Sequence, residues 1–77
     1  MSRTHEQNLD CIQLNLSRAI SQADHNPTDW NTGRVSRLRQ AATDYQRLMA
    51  GEIERHQMCH TAQELTTKMP AWATYGT

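Results

Sequence analysis

Two stretches of apolar residues recurring every third or fourth position, separated by Asn26-Pro27, restrict this chain to helices. The first runs Leu9, Ile12, Leu16, Ala19 or Ile20, and Ala23. The second begins Val35, Leu38, Ala42, Tyr45, Met49, Ile53 and His56, with Ala41 and Leu48 widening it. Each forms one stripe on a helix and would scatter over both faces of a strand. Asn26-Pro27-Thr28-Asp29-Trp30-Asn31-Thr32-Gly33 reads as a turn, and Met69-Pro70 as a stop, because the residue before a proline is pushed out of the helical region. The expected architecture is all-α, one small domain over 1–77. Helix one spans about 3–25, residues 26–33 form the turn, helix two spans about 34–69, and 70–77 form an aromatic tail.

A short turn between amphipathic helices gives an antiparallel hairpin. If Ala23 faces Val35, then Ile20 meets Leu38, Leu16 meets Ala42, Ile12 lies level with Tyr45, and Leu9 meets Met49. The expected core is therefore Leu9, Ile12, Leu16, Ile20, Ala23, Val35, Leu38, Ala42, Tyr45, Met49 and Ile53.

The two helices are unequal. At 1.5 Å per residue helix one would be about 35 Å long and helix two about 54 Å. Beyond His56 a further stripe, Met58, Ala62, Leu65 and Met69, continues toward Trp72 with nothing beside it. An isolated overhang of this kind is unstable in water. It calls for a second copy, a partner chain, or a fold-back at Gly51. Scarcity of core material points the same way, since Leu, Ile and Val together number ten in 77 residues. The hairpin is expected to be completed by dimerisation or by a partner.

Charge narrows the functions. Eight basic and eight acidic side chains cancel, and the isoelectric point lies near 6.9, so there is no general attraction to nucleic acid or anionic lipid. No apolar run approaches the roughly 20 residues that span a bilayer. Residues Met1 to Asn8 lack the apolar centre of a secretory signal, so a cytoplasmic chain with Cys11 and Cys59 as reduced thiols is expected. In the hairpin register these cysteines stand too far apart for a disulfide unless helix two breaks.

Three local patterns offer chemistry. His56, Cys59 and His60 would share a helical face and are candidate zinc ligands, with Glu52 one turn earlier. One helix turn seldom supplies more than two ligands, however, and an interface seam is the more economical reading. No metal or cofactor is expected. Arg34, Arg37 and Arg39 crowd the expected start of helix two, where the helix dipole disfavours them, and suggest contacts to phosphate or to an acidic surface. Trp72 and Tyr75 follow the helix stop and are of the residue types that anchor interfaces.

No paired carboxylates, glycine-rich phosphate loop or nucleophile–base pair is present, so no enzyme is expected. The expected function is a small non-catalytic protein-binding module, a homodimer, that modulates or inhibits a larger partner by occupying its surface. Its expected contacts are Met58, Ala62, Leu65, Met69, Trp72, Tyr75, Arg34, Arg37 and Arg39. The alternatives are a nucleic-acid-binding regulator using the arginines, or a secretion-type co-chaperone or assembly subunit. In layout the chain resembles small helical-hairpin proteins such as plasmid copy-number regulators, type III secretion co-chaperones and small phage inhibitors, and shape alone assigns no function.

Overall fold

The computed structural model of the chain describes residues 4–67. These form three α-helices, α1 (His5–His25), α2 (Asp29–Met49) and α3 (His60–Thr67), with a single 3-10 turn at Arg55–Gln57.

Capping chemistry sets each boundary. Thr4 opens α1 through a capping box: its hydroxyl accepts from the Gln7 N–H at 3.1 Å, and the Gln7 side chain accepts from the Thr4 N–H at 2.9 Å. Thr28 opens α2 by accepting from the Asn31 N–H at 3.1 Å, with Asp29 in the first turn, where the dipole favours negative charge. Helix two therefore begins at Asp29 and not at 34. The segment Asp29 to Gly33 is helical because an interior glycine costs only about 1 kcal/mol relative to alanine. The connection shrinks to residues 26–28, tied by the Asn31 amide donating to the Asn26 carbonyl at 2.7 Å.

Helix two also ends early, at Met49 and not at 69. Gly51 adopts φ 76°, its N–H bonds the Leu48 carbonyl at 3.1 Å, and the Glu52 N–H bonds the Arg47 carbonyl at 2.9 Å. This is a Schellman motif, which satisfies the last carbonyls of α2 and needs a residue at ease in the left-handed region. The chain then reverses and α3 packs against α2.

The reversal answers the overhang. Met58, Ala62 and Leu65 are buried in the same core cluster as Ile12, Ala19, Leu38, Ala41, Ala42 and Tyr45. Of the three ways to cover that stripe, the fold-back at Gly51 is the one this chain adopts over the described residues. Met69 lies outside them.

A three-helix core moves the centre of burial. On α1 the buried positions are Asn8, Ile12, Asn15 and Ala19, a stripe displaced from the expected one. Leu9, Leu16, Ile20 and Ala23 are only half-buried, along with Val35 and Ile53, and Met49 is exposed. The physical reason is that α3 closes over the side of α1 that carries Asn8. The Asn8 amide donates to the Tyr45 hydroxyl and to the Leu65 carbonyl, both at 3.3 Å, and the Tyr45 hydroxyl donates to the Ala62 carbonyl at 3.1 Å. Asn8 thereby ties α1 to the backbone of α3. One buried polar node thus joins all three helices.

Among the described residues, no helix is long and apolar enough to cross a membrane.

Candidate functional site

Helix α3 has eight residues and is about 12 Å long, whereas α2 has 21 and is about 32 Å long. Between α2 and α3 lies a groove of about 310 Å³, lined by Trp30, Arg34, Arg37 and Leu38 from α2 and by His60, Thr61 and Glu64 from α3.

The α2 wall follows from helical spacing. Trp30, Arg34, Arg37 and Leu38 are four, three and one residues apart and share one face. Leu38 is buried and forms the apolar floor, while Trp30 is 72% exposed. An indole that bare leaves a large apolar surface in water, the usual mark of a contact surface when polar groups surround it. The Arg37 guanidinium lies 5.3 Å from the Trp30 ring centroid, a cation–π arrangement that holds both side chains in place. Arg34 donates to the Gln22 side chain at 2.7 Å, which fixes it against α1. On the opposite wall the His60 ring nitrogen and the Glu64 carboxylate stand 2.8 Å apart.

Several expected contacts lie elsewhere. Met58, Ala62 and Leu65 are core side chains and offer no surface to a partner. Arg39 lines a separate, shallower depression with Ile20, Ala23, Asp24, Thr32 and Val35. Met69, Trp72 and Tyr75 lie outside the described residues. The dipole objection to the arginines disappears, since a helix starting at Asp29 places Arg34 and Arg37 in its second and third turns.

His56, Cys59 and His60 are divided between the 3-10 turn, the residue before α3 and the first residue of α3. The two imidazoles are exposed beside Glu54 and Glu64 respectively. Among the described residues no three His, Cys, Asp or Glu side chains converge where they could hold a metal ion.

Cys11 and Cys59 are both half-buried. Burial pushes the Cys59 thiol above its ordinary value and the neighbouring Asp44 carboxylate adds to this, while the N–H groups of Ala62 and Thr61 act in the opposite sense. At neutral pH Cys59 is therefore a protonated, poorly nucleophilic thiol. Two consequences follow. Cys59 should react with a disulfide reagent at pH 8 more slowly in the folded protein than in urea, and an equal rate would contradict the assignment. Because its folded value is the higher, the unfolded chain releases this proton first as pH rises. Stability should then fall above about pH 9 until the folded thiol also ionises, and Cys59→Ser should remove that slope.

Sequence reasoning missed Trp30 and Asp44. The turn expected over 26–33 conceals the helical spacing of Trp30 to Arg34 and Arg37. Asp44 is 4% exposed and accepts from the Cys59 N–H at 2.7 Å and from the Gln40 amide at 2.8 Å. Its only signal was a carboxylate standing beside Tyr45 near the apolar stripe of α2. No protein-family model, curated protein or solved structure matches this chain.

Proposed function

We propose that this chain is a small non-catalytic protein-binding module that modulates a larger protein by occupying part of its surface, with the groove between α2 and α3 as its contact. The observation that carries the reading is Trp30, 72% exposed at the edge of an apolar floor and held by Arg37. Trp and Arg are the side chains that most often dominate interface energetics, and these two are already ordered, so little rotamer entropy is lost on docking. The stripe that suggested a homodimer, Met58, Ala62 and Leu65, is consumed by the chain's own core, and the proposal does not use it.

The test is site-specific photo-crosslinking in the cells that make the protein. Benzoylphenylalanine at position 30 replaces one large aromatic by another, and the same group at exposed Gln13 on α1 is the control. A discrete heavier adduct from position 30 that is missing from position 13 is expected. Adducts identical from both positions, or none from position 30, would overturn the reading.

A second reading has its own observation. An exposed Trp beside two arginines is also a platform on which a nucleobase could stack while the guanidiniums meet phosphate. It requires affinity that falls steeply with salt. The carboxylate of Glu64 on the facing wall and the zero net charge of the chain disfavour it.

A further inference from the structure

The charges lining the groove are unequally engaged. Its one carboxylate among the described residues, Glu64, lies 2.8 Å from the His60 ring nitrogen. Its two guanidiniums have no carboxylate partner among the described residues: Arg34 is held by the neutral Gln22 side chain and Arg37 by the face of Trp30. Both are fixed by neutral groups that keep the full positive charge available. A ligand therefore meets an apolar floor at Leu38, an aromatic edge at Trp30 and two unneutralised cations on the same wall.

We propose that the occupant of this groove is an acidic segment of a partner protein, in which one large apolar side chain is flanked by Asp or Glu. The inference rests on the protein-binding reading above and names the chemistry of the partner. A volume of about 310 Å³ suits one anchoring side chain and its immediate surroundings, not a folded domain. The apolar side chain covers Leu38 and the indole, and the flanking carboxylate bridges Arg34 and Arg37, where planar guanidiniums make paired, charge-assisted hydrogen bonds. A polyphosphate strand fits less well, because its regularly spaced charges would also pass Glu64 on the other wall.

The probes are short amidated peptides that carry a single large apolar residue flanked by Asp or Glu. Matched peptides with Asn or Gln in the flanks and an oligothymidine strand complete the set. Binding is read by fluorescence anisotropy with the intact chain. Acidic peptides should bind about tenfold more tightly than their amide counterparts, the size of one charge-assisted contact. Arg34→Gln and Arg37→Gln should each remove most of that preference, whereas Arg39→Gln, outside the groove, should leave it unchanged. Circular dichroism confirms that these surface variants remain folded.

Equal binding of acidic and amide peptides overturns the charge inference and leaves the protein-binding groove standing. So does failure of every peptide alongside a specific adduct from position 30. Equal weakening by Arg39→Gln would reduce the effect to overall charge and overturns the inference as well. Tightest binding by oligothymidine, dependent on Trp30 and the two arginines, overturns both this inference and the reading beneath it.

Discussion

Tyr45→Ala is expected to abolish the cooperative fold. The ring is completely buried, and its hydroxyl accepts from Asn8 on α1 and donates to the Ala62 carbonyl on α3. Removing a buried aromatic ring costs about 3–5 kcal/mol, through lost burial and the cavity left behind. A single core in a chain of this size rarely supplies more than about 3–5 kcal/mol in all. The loss is thus comparable with the whole stability, and the variant should show no sigmoidal urea transition by circular dichroism at 25 °C. Tyr45→Phe separates the two contributions. It keeps the ring and deletes the hydroxyl, leaving the Ala62 carbonyl and one Asn8 donor without that partner, and should cost about 1–2 kcal/mol. A Tyr45→Ala protein that unfolds cooperatively at the wild-type urea midpoint would mean that the node is not what joins the helices.

Helical class, the order of the first two helices and their antiparallel pairing were legible because they depend on periodicity and on one proline. The end of α1 at His25 follows from the sequence, since Asn26 precedes Pro27 and cannot continue the helix. The early start of α2 was also encoded, in Thr28-Asp29, but reading Gly33 as a turn residue overrode a sound cap. The break at Gly51 was harder. A glycine in a helical pattern is compatible with passage or arrest, and the decision belongs to tertiary packing. Passage would have left Met58, Ala62 and Leu65 in water, whereas arrest buries all three.

The candidate site was legible only in part. Arg34 and Arg37, expected as contact residues, line the groove, but the groove forms only when α3 folds back, which brings Glu64 and His60 opposite arginines 23 to 30 positions away in sequence. Trp30 acquires its meaning from the same event, because the fold-back sets His60, Thr61 and Glu64 of α3 around the groove that it lines. Buried Asn8 and Asn15 escaped notice because amide side chains ordinarily mark the solvent face. Here they hold two of the four buried positions on α1. The Asn15 amide donates to the Cys11 carbonyl at 2.9 Å, while its own carbonyl oxygen is buried without a partner.

Asp44→Ala should detach α3 while α1 and α2 stay paired. The eight residues described in α3 are far too few to be stable as a helix alone in water, so they depend on the contacts that hold them. Asn8 serves the Leu65 carbonyl. At the N-terminal end the Asp44 carboxylate accepts from the Cys59 N–H at 2.7 Å and places negative charge at the positive end of the helix dipole. Alanine removes both effects and leaves the Cys59 N–H and the Gln40 amide without their acceptor, for a total of about 2–3 kcal/mol. Asp44→Asn retains an oxygen acceptor and loses the charge, and should cost about half as much. Hydrogen exchange at the amides of Gln63 to Thr67 is the direct measurement. In Asp44→Ala these amides should exchange about 30 to 140 times faster than in the wild type, by the usual factor of ten for each 1.4 kcal/mol, while the mid-helix amides of α1 and α2 change little. Uniform acceleration in all three helices would show that α3 opens only with the whole fold, and unchanged protection would show that Asp44 does not hold it. Loss of α3 also removes one wall of the groove. Asp44→Ala should therefore bind the acidic peptides as poorly as Arg37→Gln does, although Asp44 touches none of them.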